Sequence, residues 1–390
     1  MSSLFSVYPQ FPVSFVKASG TRLWDDEGNA YLDFYSGIGC INLGHCHSSV
    51  TKALTTQAEK LWHISNIFPH KNTILAAEKL ASKAPFAAKV FFANSGAEAN
   101  EAALKLARKY SKSRKGTDAI EIIAFEKSFH GRTMATLSCT GKPKMREDFS
   151  PMLPTVHFAQ YNNISSVRSL VSPHISAIII ETIQGEGGLA TADFSFLQAV
   201  RELCDEHDIL LIVDEVQTGA GRTGTFFSCE NTGVIPDIIT AAKAIGNGFP
   251  VGAMLAKPEI AKYFAVGDHG TTFGGNPMAT AVVSAVCDEM TPEFLTKVQK
   301  KSEFFDVLLQ DLQTTFPEKI LELRGRGFMR GILFPGGMAP EIQKILLLEN
   351  RLVTLLSGDS TVLRLLPPLV SSEEELQEGV LRIREVVKNV

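Results

Sequence analysis

The sequence has little that would tie it to a membrane, to nucleic acid or to an oxidising compartment. No apolar run, including that around residues 178–180, approaches the ~18 residues of a bilayer-spanning helix. The opening Met-Ser-Ser-Leu-Phe-Ser-Val-Tyr lacks the basic segment and apolar core of a secretory leader. A formal net charge of −4 with no basic patch makes nucleic acid and anionic lipid poor partners. The six cysteines, Cys40, Cys46, Cys139, Cys204, Cys229 and Cys287, form no CxxC pair and no Cys/His cluster of zinc-ligand spacing. No metal site is expected, and the thiols suit a reduced, cytoplasmic protein. Internal repeats, low-complexity tracts and disordered linkers are also missing. What remains is a chain of 390 residues, 45% hydrophobic and 21% charged, with the profile of a globular protein acting on small molecules.

What is present is a repeating order. From about Thr73, apolar strands alternate with helices, the pattern of an α/β domain. Strands are expected at 89–93, 121–125, 177–181, 210–214, 238–241 and 251–256. Three short strands precede them, at 14–16, 22–24 and 30–34, with a helix over 48–61. After Met278 a helical passage leads to a strand at 330–334, a helix at 340–350, strands at 353–356 and 362–365, and a last helix. Ser371 and Ser372 with Glu374 and Glu375 fit capping boxes for that helix, whose apolar face is Leu376, Val380, Ile383 and Val387.

The run 209–217, Ile-Leu-Leu-Ile-Val-Asp-Glu-Val-Gln, carries the first chemical signal. Five large apolar residues in a row suit a strand buried on both faces, and this one ends on the carboxylate of Asp214. Ligands of open α/β sheets sit beyond the carboxyl ends of the strands, and a buried carboxylate needs a cationic or hydrogen-bonding partner. Lys243 stands alone among small and apolar residues after the strand at 238–241. Desolvation there would make it a nucleophilic amine, although a snorkelling lysine has similar surroundings. A carboxylate that keeps a pyridine nitrogen protonated and a lysine that forms an imine are the two parts of a pyridoxal phosphate site.

Other strand ends carry polar clusters. Asn94-Ser95-Gly96-Ala97-Glu98-Ala99-Asn100 opens a helix, as a phosphate cradle or simply as a capping box. Phe129 and Arg132 suit ring stacking and carboxylate binding, or core packing and a surface ion pair; His130 between them reads as structural. Glu186 lies in the glycine loop 185–188, which can swing a carboxylate into a cleft or leave it in solvent. Gly219-Ala220-Gly221-Arg222-Thr223-Gly224 matches the GxGxxG fingerprint but fails its context. Residues 215–218 separate it from the strand, and the following Thr225-Phe226-Phe227 has strand rather than helix character.

Taken together, Phe91-Phe92-Ala93-Asn94-Ser95-Gly96-Ala97-Glu98-Ala99-Asn100, Phe129-His130-Gly131-Arg132-Thr133, Asp214-Glu215-Val216-Gln217-Thr218-Gly219, Lys243 and Thr271-Thr272-Phe273-Gly274-Gly275-Asn276-Pro277 resemble the class III pyridoxal-phosphate aminotransferases. The resemblance runs from Gly20 to the last helix and is strongest to the acetylornithine group. It implies an α/β fold of type I: a large, mostly parallel seven-stranded sheet domain over 46–280, flanked by helices. A smaller α+β domain would come from 281–390 with the N-terminal segment 1–45.

The same resemblance implies the site. Lys243 would hold pyridoxal 5'-phosphate and move the substrate proton, Asp214 would pair with the pyridinium, Gln217 would bond the phenolic oxygen, and Phe129 would stack on the ring. Ser95, Gly96 and Ala97 would cradle the phosphate, and Thr272 would reach the phosphate of a neighbouring subunit, which implies a homodimer with its active site at the interface. Arg364 would take the α-carboxylate of glutamate or 2-oxoglutarate and Arg132 the far carboxylate. Glu186 would neutralise Arg364 while a terminal-amine donor reacts. Ile38 stands where ornithine aminotransferases usually have tyrosine and the acetylornithine type isoleucine. The implied reaction is transfer of the terminal amino group of N-acetylornithine to 2-oxoglutarate, in arginine biosynthesis, with ornithine, succinylornithine and other ω-amines as alternative donors. A catalytically silent cofactor-binding protein and a nicotinamide-dependent oxidoreductase are the readings from other classes.

Overall fold

The computed structural model describes residues 3–390. Its centre is a seven-stranded sheet in the order Lys89–Ala93, Gly252–Ala256, Ile238–Ala241, Leu210–Asp214, Ile175–Ile180, Glu121–Phe125 and Val156–Ala159. Only Gly252–Ala256 runs against its neighbours; the other pairings are parallel. Every residue of Ile175–Ile180 and Leu210–Asp214 is buried, the reason these strands read as unbroken apolar runs. Alternation along Leu210–Asp214 divides the core in two. Leu211 and Val213 join the larger apolar cluster, while Leu210 and Ile212 pack with Ala102, Ala103, Leu106 and Ala107 of the helix Gly96–Lys115. By that two-residue period Asp214 shares the face of Ile212 and meets this helix.

Among the described residues two four-stranded sheets and a two-stranded one, Ile183–Gln184 with Ala190–Thr191, accompany the seven-stranded sheet. One four-stranded sheet is Phe15–Ser19, Arg22–Asp25, Ala30–Asp33 and Leu352–Val353, so that the two ends of the chain share hydrogen bonds. The other is Glu322–Arg326, Met329–Leu333, Val362–Leu365 and Leu355–Ser357. The single strand expected at 353–356 is therefore two, because the chain changes sheets at Thr354, whose carbonyl accepts from Gln343 Nε2 at 3.0 Å. Val156–Ala159 and Glu322–Arg326 were not anticipated. The first is a four-residue edge strand, and the second alternates charged residues with Leu323 and Gly325, leaving one apolar side chain to pack on the core. Thr225-Phe226-Phe227 forms no strand and leads into the 3₁₀ turn Ser228–Thr232.

The last helix, Glu373–Asn389, opens on a capping box between Ser372 and Glu375. Ser371 takes no part and donates to the Pro368 carbonyl at 2.7 Å. Gly379 lets this helix close on the N-terminal segment, for a Cβ there would lie 2.2 Å from Phe34 Cζ. Phe34 is fully buried and also meets Phe305 edge-on at 6.0 Å. Gly379→Ala is expected to destabilise the protein by about 1–3 kcal/mol through overpacking. Denaturant unfolding measures this, and an unchanged midpoint would mean that Phe34 yields freely.

Candidate active site

Three chain reversals at the carboxyl edge of the large sheet bring the polar groups together. The first follows Lys89–Ala93, where Ser95 caps the helix Gly96–Lys115: its Oγ accepts from Glu98 N at 3.2 Å. Glu98 Oε2 reaches back to Asn94 N at 2.7 Å. Gly96 and Ala97 are the first two helical residues, so their N–H groups have no acceptor within the helix and face the cavity at its positive end. Val216 packs so closely that a Cβ on Gly96 would lie 2.7 Å from its Cγ1.

The second reversal carries Asp214, only 4% exposed and fully hydrogen-bonded. Oδ2 accepts from His130 Nδ1 and Asn100 Nδ2, both at 2.8 Å, and Oδ1 accepts from Val216 N at 3.0 Å. Asn100 is held in turn by Thr240 Oγ at 2.7 Å. Burial alone would lower the His130 imidazole, but its hydrogen bond to Asp214 and that charge outweigh burial and hold it above its ordinary value.

The third reversal places Lys243 after Ile238–Ala241, at the start of the turn Lys243–Gly246, with a left-handed φ of 49°. Its Nζ has no hydrogen-bond or ion-pair partner among the described residues. Burial pushes the amine below the usual lysine range, and the Arg364 charge adds to that. Ser95, Gly96, Ala97, Phe129, Arg132, Asp214, Gln217 and Lys243 all line one cavity of about 380 Å³.

Arg364 lies just behind Gln217 and is 1% exposed. Nη1 donates to the Gly185 carbonyl at 2.7 Å and to Gln217 Oε1 at 3.0 Å, while Nη2 meets Glu186 Oε1 at 2.8 Å. Burial would raise the Glu186 carboxyl, yet the Arg364 charge and hydrogen bond hold it below its ordinary value. The glycine loop is not the free tether expected. Gly185, Gly187 and Gly188 are buried, and Cβ atoms on the first two would approach Gln217 and Gln184 to 2.5 and 2.6 Å. The Glu186 side chain alone in this loop stays partly exposed, at 26%.

Besides Arg364 and Glu186, which meet behind Gln217, two expected residues lie outside the cavity of the single chain. Ile38 is half-buried with φ 64°, two residues before Cys40, which does line the cavity, and Thr272 is exposed. Several contributors were passed over: His130, read as structural, Asn100, and Glu181, which ends an apolar strand just as Asp214 does. That shared position was the signal available for Glu181. The GxGxxG stretch is a set of turns around Arg222, which is fully buried and donates to the Phe328 and Pro367 carbonyls at 3.1 and 2.5 Å and to Asn42. No helix opens there to face a dinucleotide.

Free N–H groups at a helix start suit a phosphate, the buried carboxylate suits a protonated ring nitrogen, and the unpartnered amine suits a carbonyl carbon. Sheet and site together define a pyridoxal-phosphate enzyme. The chain belongs to the class-III aminotransferase family, matched over residues 6–387, and pyridoxal phosphate is its cofactor. It is 44% identical over 388 residues to the acetylornithine aminotransferase of Caldanaerobacter subterraneus subsp. tengcongensis, covering 99% of this chain and 98% of that one. Among solved structures, the ornithine aminotransferase of Toxoplasma gondii ME49 superposes with a TM-score of 0.94 at 31% identity, covering 99% of this chain and 93% of that one. The N-acetylornithine aminotransferase of Stenotrophomonas maltophilia K279a gives 0.85 at 36%, covering 98% and 97%.

Glu181 and His130 give the cofactor-free protein a pH signature. The Glu181 carboxyl is pushed up to about 7 from 4.5, by burial first; the His130 charge opposes this and the Asp214 charge adds to it. The folded chain thus keeps a proton that the unfolded chain has released, and stability falls as pH rises from 4.5 through about 7. The raised His130 acts in the same direction: its contribution is complete below 6.5 and lost as pH rises through the higher folded value. Wild type is expected to lose stability relative to Glu181→Gln across the Glu181 window; a difference independent of pH contradicts the buried placement of this carboxyl.

Proposed function

We propose that the chain transfers the terminal amino group of N-acetylornithine to 2-oxoglutarate, giving N-acetylglutamate 5-semialdehyde and glutamate, as a step of arginine biosynthesis in the cytoplasm. The observation that carries this reading is the buried Arg364–Glu186 pair beside the Lys243 cavity. An aminotransferase that used only α-amino acids would need Arg364 always free. Here a carboxylate from the chain occupies it, as suits a donor that brings no carboxylate to that end. When glutamate or 2-oxoglutarate binds, Glu186 turns away and the α-carboxylate takes its place; Arg132 at the cavity wall receives the distal carboxylate.

Bound pyridoxal phosphate supplies an electron-accepting ring and an aldehyde that receives the amino group. Lys243 would hold it and, once displaced, its Nζ would pass the proton from the substrate carbon that bears the amine to the cofactor's aldehyde carbon, and carry it back in the reverse half. The low basicity that burial gives this amine suits it to both directions. Asp214, backed by His130 and Asn100, holds the proton on the ring nitrogen. Gln217 Oε1 is engaged by Arg364, which leaves its Nε2 to donate to the phenolic oxygen. Phe129 would stack on the ring, and Ser95, Gly96 and Ala97 would hold the phosphate.

Thr272 acts in the site of a second copy of the chain. Trp62, Ile67, Phe68 and Phe273 are exposed around it, and Asn66 Nδ2 ties the two stretches by donating to the Gly274 carbonyl at 2.9 Å. A homodimer covers this face, and a monomer in sedimentation would remove that reading. The division into a large domain over 46–280 and a small one from 281–390 with 1–45 belongs to the same proposal. Ornithine is the second donor, favoured by the 0.94 superposition on the Toxoplasma enzyme; Ile38 argues for the acylated one.

The holoenzyme is expected to lose its visible absorption band on adding N-acetylornithine alone and to regain it with 2-oxoglutarate. Bleaching far more efficient with ornithine would move the assignment to that substrate. Lys243→Ala is expected to cut turnover by about 10²–10⁴-fold or more, and normal exchange in that variant would overturn the role of the amine.

A further inference from the structure

Glu181 follows the strand Ile175–Ile180, is 6% exposed, and has no part in the roles proposed above. Its two oxygens accept from two separate segments: Oε2 from Phe129 N at 3.0 Å and Oε1 from Gly185 N at 3.1 Å. Phe129 leads to Arg132, whose guanidinium lies over the Phe129 ring, 5.6 Å from its centroid. Gly185 leads to Glu186, and its carbonyl accepts from both Arg364 Nη1 and Ser357 Oγ at 2.7 Å. One carboxylate therefore ties the segment bearing Arg132 to the loop that fixes Arg364.

Stability does not explain a carboxylate here. Burial beside Asp214 is unfavourable for a second negative charge, and apolar replacement of buried ions is often neutral or stabilising. What a carboxylate supplies is two acceptors at a fixed separation, aimed at two backbones that must keep register. Ser357 holds the far side of the same loop, since its Oγ also accepts from Gly188 N at 3.0 Å.

We propose that Glu181 is a positioning residue that sets the spacing between Arg132 and Arg364, and so selects the chain length of the dicarboxylate acceptor. This rests on the aminotransferase reading above. An acceptor with two carboxylates is gripped at both ends only if the two arginines stand at its length, and 2-oxoglutarate is one carbon longer than oxaloacetate. The donor uses one of the two arginines and is less sensitive to their spacing.

Glu181→Gln keeps the shape, but its amide oxygen serves one N–H while its NH₂ opposes the other. Measured above pH 7, where Glu181 is ionised, the holoenzyme variant is expected to keep the wild-type absorption band and donor KM, while its KM for 2-oxoglutarate rises about tenfold, the loss expected for one buried charged hydrogen bond. Its preference for 2-oxoglutarate over oxaloacetate, as the ratio of kcat/KM values, is expected to shrink by a similar factor. Ser357→Ala loosens the loop from the other side and is expected to move that ratio in the same direction, which carries the test if Glu181→Gln does not fold. An unchanged ratio, with only kcat or melting temperature reduced, overturns the positioning role. Absence of glutamate formation by wild type from any terminal-amine donor would instead sink the functional reading on which this rests.

Discussion

A carboxylate buried at the end of an apolar strand is the constraint around which the site is built. Asp214 lies on the face that packs against the alanine-rich helix Gly96–Lys115, 4% exposed at the cavity wall. An ionised carboxyl in such a place must be met on every side. His130, Asn100 and the Val216 N–H do so, and Thr240 fixes Asn100 in turn. The helix that supplies Asn100 begins at Gly96, so the contact that satisfies Asp214 also places the open N–H groups of the proposed phosphate cradle. Small side chains at 102, 103 and 107 let helix and sheet approach closely enough for this.

The remaining geometry is a matter of two arginines. Arg132 stands at the cavity wall against Phe129, and Arg364 is sunk behind Gln217 with Glu186 on it. Their supports differ in kind: Arg364 meets a side chain that can turn away, while the loop beneath that side chain is pinned by Glu181 and Ser357. On the proposed reading Glu186 is the carboxylate that turns away, which would let a single cavity accept a substrate with a carboxylate at that end and another without one.

Much of this was legible in the sequence where burial is two-sided. Glu121–Phe125, Leu210–Asp214 and Ile238–Ala241 fall where their apolar runs placed them, because a strand inside the sheet has no polar face to blur its ends. Val156–Ala159 and Glu322–Arg326 escaped because an edge strand needs only a partner for its backbone, which composition does not record. At the site, Asp214 and Lys243 were conspicuous as lone charges in apolar surroundings. Glu181 met the same criterion but was passed over for Glu186 in the glycine loop that follows it. Local glycine content implies freedom only where nothing packs on it, and the burial of Gly185, Gly187 and Gly188 could not be read from spacing. Ile38 and Thr272, known only through the resemblance, lie off the cavity in the single chain, consistent with contributions that need a second copy or a bound substrate.

The central claim is that Asp214, buried and held by His130 and Asn100, keeps the proton on the cofactor's ring nitrogen. The most direct test is the NMR shift of that nitrogen, isotopically labelled, in the holoenzyme and in Asp214→Asn. A protonated nitrogen in the wild type that loses its proton in Asp214→Asn is the expected result. A nitrogen already unprotonated in the wild type, or protonated alike in both, would contradict the account.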